Sequence, residues 1–192
     1  MARRHSLTAL ITVFFLLMAG STSFAGSALV PADLQAELLA KLVAYDRNFD
    51  ARAGTTAHVL IVTRPGNARS TLHAAVMKSE LSKLERVGGL AHRESTVHFE
   101  GAPALAKRCR SERVAVVYLT PGLEDETAEI QKALTGVDVL SVSAVPESVP
   151  DGIVLGFELV SGKPKILLNL AQAKRQNVNF KADVLKLMKV YR

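Results

Sequence analysis

The sequence predicts an α/β sandwich: a mostly parallel central sheet flanked by helices, with an antiparallel β-hairpin and a closing helix at its carboxyl end. Three observations predict it. The runs HVLIVT (58–63) and VAVVYLT (114–120) are short and almost wholly apolar, as in strands covered on both faces. Helical and strand-like segments alternate from residue 33 to 143, the order of a βαβ chain. The alternation then breaks, because Ile153–Val160 and Lys165–Leu170 flank a tight Ser161-Gly162 turn and read as an antiparallel pair.

Each element has its own signal. Asp33 offers a cap after Pro31-Ala32, and Leu34, Leu38, Leu42, Tyr45 and Phe49 form one apolar stripe, so a first helix is expected to end near Phe49. Glu37 and Lys41 pair on its other side. After the HVLIVT strand, Arg64-Pro65-Gly66-Asn67 makes a turn, and a helix over about 70–86 stops at Gly88-Gly89. Leu72, Val76, Leu84 and Val87 define that helix's apolar arc, yet His73 and Glu80 fall in its middle, about 20° apart at 100° per residue. They mark either a polar seam where a partner or second subunit docks, or a helix kinked or shifted so that both reach its edge.

Ser95–Phe99 is a second strand, and Gly101–Arg110 is a short helix or loop. Past VAVVYLT, Pro121-Gly122 turns the chain, and Glu124, Asp125 and Glu126 put negative charge on the first turn of a helix ended by Gly136. Val137–Ser143 is a further strand. Asn169 can cap the segment after the hairpin, and Phe180, Val184, Leu185 and Met188 share the stripe of a closing helix.

The first residues point to export. Arg3 and Arg4 precede an apolar run, Leu7–Ala19, too short for an ordinary membrane span, and Ser23-Phe24-Ala25 fits a cleavage site. Residues 1–25 are therefore expected to be a cleaved signal peptide and 26–192 a single exported α/β domain. Without Arg3 and Arg4 the net charge falls from +6 to +4, spread along the chain, with no tryptophan and no basic block holding aromatics. That pattern argues against nucleic acid as a partner. Cys109 is the only cysteine, so an internal disulfide is excluded; it reads as a small buried hydrophobe or as half of an intermolecular bridge.

No catalytic constellation stands out. There is no G-x-S-x-G, no paired metal-ligand spacing among the five histidines and no phosphate loop, so no catalytic residue, metal or cofactor is expected. One ligand site is suggested. The turn after the first strand leads directly into a helix, where open α/β sheets hold ligands and free N–H groups favour anions. Arg64 and Arg69 add charge there, Asn67 and Ser70 add polar groups, and His73 lies one turn on. The simpler reading is that Asn67 or Ser70 caps the helix while the arginines are solvated.

The carboxyl half resembles the YfiR-like (YfiR/HmsC-like) family of exported bacterial proteins over roughly residues 109–190. The matching parts are Cys109 before VAVVYLT, DVLSVS (138–143), Gly152-Ile153 and Gly156-Phe157, ILLNL (166–170), AQAKR (171–175) and VLKLMKV (184–190). The chain departs from the family in lacking a cysteine in the first strand, at His58–Val62, and in keeping only Tyr45 and Phe49 of the aromatics after the first helix. The disulfide logic of other members therefore does not carry over. The resemblance implies a non-enzymatic periplasmic regulator, often a homodimer. It would bind the periplasmic region of a membrane signalling enzyme of the diguanylate cyclase type and be sequestered by an outer-membrane lipoprotein. A small-ligand sensor using the Arg64–Ser70 loop is the alternative.

Overall fold

The computed structural model describes residues 29–192; the expected signal peptide and cleavage site lie outside them. Seven strands form one sheet in the order β2-β1-β3-β4-β5-β6-β7. They are β1 Thr56–Thr63, β2 Ala91–His98, β3 Val116–Leu119, β4 Leu140–Ser143, β5 Leu155–Val160, β6 Lys163–Asn169 and β7 Met188–Tyr191. The first five strands run parallel, β6 is antiparallel to β5, and β7 is parallel to β6. The expected α/β class, parallel sheet and antiparallel hairpin are all present.

Both faces of the parallel strands are covered, which is why their sequences are apolar throughout. Along β1, Val59 and Ile61 join the larger core, under α1 (Ala32–Leu42) and α3 (Ala68–Ser82). Leu60 and Val62 point the other way, into a second core formed with α4 (Ala102–Ser111) and α5 (Thr127–Leu134). Gly156 in β5 is required by close approach: a Cβ there would lie 2.5 Å from a methyl group of Val149. Cys109 is buried on the inner face of α4 as a free thiol.

Several expected boundaries move. The first helix does not run to Phe49; it ends at Leu42, continues as a 3-10 turn at Val43–Tyr45, and Phe49 opens a separate short helix, α2 (Phe49–Ala53). Asp33 lies inside the first turn of α1, and Pro31 is the capping residue without a side-chain bond. Strand β2 begins four residues earlier than expected, because its whole length pairs with β1. Helix α3 is rotated from the expected arc: it buries Ser70, Ala74, Met77 and Leu81, while Leu72 is 68 % and Val76 39 % exposed. Leu84 and Val87 belong to the chain beyond the helix end, so they could not set its inner face. His73 and Glu80 are half-buried at the edge of that face.

The largest correction is at the carboxyl end. In place of a long closing helix there are α6 (Leu170–Arg175), the four-residue α7 (Ala182–Leu185) and strand β7. Phe180, Val184 and Met188 are buried in the larger core as that stripe required, but from three different elements. Met188 and Val190 face this core and Lys189 and Tyr191 alternate with them, a period of two that suits the otherwise unpaired edge of β6. Asn169 does cap α6, accepting from the Gln172 N–H at 2.9 Å.

Candidate functional site

In the order β2-β1-β3, the chain leaves β1 toward one neighbour and β3 lies on the other side. The crevice beyond the carboxyl ends of β1 and β3 is thus a topological switch point, the place where open α/β sheets bind ligands. The Arg64–Ser70 turn falls there. The structure brings Arg64, Asn67 and Ser70 together, and each has an internal partner.

The Ser70 hydroxyl is buried; it accepts from the Arg64 N–H at 2.8 Å and lies 2.6 Å from Thr120 Oγ1, which donates to Val62 O at 2.8 Å. Asn67 caps α3 by accepting from the Ser70 N–H at 3.0 Å. Its amide packs on Gly122, where a Cβ would come within 2.5 Å of Nδ2 and where φ is +95°, so only glycine suits the turn. The Arg64 guanidinium donates to Glu126 Oε1 at 2.5 Å across the mouth of the crevice. Glu126, on the turn before α5, was expected only to complement a helix dipole. Two hollows at this end of the sheet are nearly closed. One, between Val62, Phe99 and Leu105, encloses about 10 Å³; the other, between Thr120, Ser143 and Ser148, has no room for a water.

Arg69 is exposed, and its charge together with burial holds the His73 imidazole below its ordinary pKa, burial being the larger cause. His73 faces inward. Its Nε2 lies 2.8 Å from the Tyr118 hydroxyl, and the two rings stack with centroids 5.9 Å apart. The Tyr118 hydroxyl donates to Gln35 Oε1 at 2.8 Å, so it accepts from His73 Nε2–H, and Gln35 in turn donates to Val30 O at 2.8 Å. This chain of bonds crosses the larger core and ties α3, β3 and α1 together. Its only sign in the sequence is a histidine on an inward face.

A second polar cluster was not foreseen. Arg52, with only 1 % of its side chain exposed, donates to Asp46 Oδ2 at 2.7 Å, to Asp138 Oδ1 at 2.8 Å and to Asn177 O at 2.9 Å. Asp46 Oδ1 accepts from the N–H groups of Asn48 and Asn179, at 3.2 and 2.8 Å. Three distant parts of the chain, around 46–52, 138 and 177–179, meet at this one cluster. Only the density of Asp, Asn and Arg around 46–52 hints at it.

The one pairing with the look of nucleophilic chemistry is His58 Nε2 and Ser95 Oγ, 2.6 Å apart. Its polarity is wrong for a base. Arg93 donates to His58 Nδ1 at 2.9 Å, so Nδ1 accepts and Nε2–H donates toward the serine. Burial first, and Arg93 second, hold the His58 pKa below its ordinary value. Among the described residues no three His, Cys, Asp or Glu side chains cluster as metal ligands, and no helix is long and apolar enough to cross a membrane.

Fold and site together define an α/β module whose best-ordered polar groups hold its own framework. The same fold occurs in solved structures. A conserved domain protein from Vibrio cholerae matches with a TM-score of 0.60 at 13 % identity, covering 84 % of this chain and 60 % of that one. A domain crystallised in complex with L-Trp from Streptococcus pneumonia matches at 0.59 and 12 %, covering 83 % and 60 %. CD0873, a substrate binding protein with adhesive properties from Clostridium difficile, matches in its open, ligand-free form at 0.55 and 14 %, covering 85 % and 60 %. The chain thus accounts for about three-fifths of each. No curated protein matches the sequence. The model of the YfiR/HmsC-like family matches residues 32–189, and the chain belongs to that family.

Proposed function

We infer that this chain is an exported, non-enzymatic regulator that binds the periplasmic region of a membrane signalling enzyme of the diguanylate cyclase type and modulates it. The observation that carries this reading is the family match, which runs through both halves of the chain. The physical findings are consistent with it: the polar clusters are saturated by internal bonds, and the His58–Ser95 pair has the wrong proton arrangement for catalysis. In this reading residues 1–25 are removed on export and 26–192 act in the periplasm as one domain. The domain pairs with a second copy, and an outer-membrane lipoprotein can sequester it.

The test is affinity capture of the exported chain from solubilised envelope, followed by assay of cyclic-di-GMP synthesis. Capture of a membrane cyclase whose activity changes on adding the chain is the expected result. Recovery of no membrane signalling protein, with a tightly held metabolite instead, would overturn it.

A second reading follows from the switch point. Its fold neighbours include a substrate binding protein and a domain holding L-Trp, and the Arg64–Glu126 pair spans the place where a ligand would enter. Here the chain is a small-ligand sensor using Arg64, Asn67, Arg69, Ser70 and His73, with Glu126 displaced on binding. Arg64→Ala combined with Arg69→Ala abolishes ligand binding in this reading and leaves it intact in the first.

A further inference from the structure

At the opposite end of the sheet, where β1, β3 and β4 begin, an open pocket of about 310 Å³ lies between the end of α2, the end of α4 and the turn into β4. That is the low end of the range for small-molecule sites. Its charged lining is Arg52, Arg110, Arg113 and Asp138, and Cys109 forms part of the wall.

The charges do not balance locally. Arg52 faces two carboxylates, Asp46 and Asp138, so that cluster carries one negative charge in excess. On α4, Arg108 pairs with Glu112 at 3.5 Å. Arg110 and Arg113 are exposed, their side chains have no hydrogen-bond or ion-pair partner among the described residues, and both line this one pocket. Arg113 sits at a φ of +48°, a backbone conformation seldom taken by a residue with a side chain. Its Nη1 lies 3.7 Å from where a Cβ on Gly54 would be, so the guanidinium sits beside the turn that ends α2. Burial pushes the Cys109 thiol up to about 12, so this part of the wall carries no negative charge.

We propose that this pocket binds a small oxyanion group, the phosphate or carboxylate of a metabolite, held by Arg110 and Arg113 over the fixed Arg52–Asp138 pair. Guanidinium groups match such oxygens with paired N–H donors. The site is separate from the Arg64–Ser70 turn, which lies beyond the other ends of the same strands.

Calorimetric titration of the exported chain with inorganic phosphate and, separately, with succinate tests this in phosphate-free, low-salt buffer. One-to-one saturable binding of at least one probe is expected. Arg110→Ala and Arg113→Ala should each weaken it roughly ten- to a hundredfold, the loss of a charge-assisted bond, while Arg175→Ala leaves it unchanged. Phosphate alone binding assigns a phosphoryl ligand, and succinate alone assigns a carboxylate. If neither probe saturates by about 10 mM, or if the double variant binds as well as the parent, the site does not exist. The parent measurement decides this even if a variant fails to fold.

Discussion

The two ends of the sheet spend similar residues on opposite outcomes. At the carboxyl end Arg64 is matched to Glu126, Ser70 to Thr120 and Asn67 to the start of α3, and the crevice is full. At the amino end Arg52 is matched and buried, but Arg110 and Arg113 stand unmatched beside an open pocket. A cluster of arginines and a loop-to-helix turn thus mean little by themselves. What separates the filled carboxyl-end crevice from the open amino-end pocket is whether carboxylates from other elements reach every guanidinium that lines it.

The sharpest way to break this comparison is Arg52→Ala. It leaves the Asp46 carboxylate buried without its cation, and a loss of roughly 3–5 kcal/mol is expected by urea denaturation. A loss under about 1 kcal/mol would show that Asp46 is relieved by its two N–H donors alone. At the carboxyl end, Ser70→Ala strips an acceptor from the Arg64 N–H and a partner from Thr120, and should cost about 1–3 kcal/mol in the same assay.

The pH dependence probes one histidine from each end. His58 and His73 both have folded pKa values below 6.5, so the unfolded chain binds more protons as pH falls through that value. Their contribution is fully present above about pH 6.5 and is lost progressively on acidification toward the lower folded values. The urea midpoint should therefore fall between about pH 7.5 and about pH 5, and less steeply in a His58→Gln, His73→Gln double variant. The smallest effect is expected for Arg64→Ala. Its ion pair is partly exposed, at 37 % and 27 %, and should be worth about 0–1 kcal/mol. A larger loss would mean that the pair braces the crevice and does more than span it.

How much of this was legible in the sequence depends on range. HVLIVT and VAVVYLT announced their strands because burial on two faces leaves them almost wholly apolar, and the Ser161-Gly162 hairpin announced itself by turn chemistry. The α3 face was misread because Leu72 and Val76 look like core residues. In the fold Ser70 and His73 take inward positions because Thr120 and Tyr118 wait there, 50 and 45 residues away. The ending of the chain was misread for a related reason. VLKLMKVYR carries both a helical stripe and a strand alternation, and the free edge of β6 decides between them. The Arg64–Ser70 turn was readable as the link from the first strand into a helix, but its contact with Glu126 was not, since that contact spans 62 residues. The amino-end pocket needed three separate loops and had no local signature at all.

The Arg52 cluster also sets a timetable for folding. Asp46 and Arg52 come early in the chain, whereas Asp138, Asn177 and Asn179 come late, and the backbone pairing of residues 45–47 with 179–181 closes the same junction. A chain made amino end first presents a charge pair and a backbone segment whose complements have not yet been made. Contacts of such long sequence separation form slowly and leave apolar surface open while they wait. The last few dozen residues therefore act as a latch: until they are in place, the junction around Arg52 stays open.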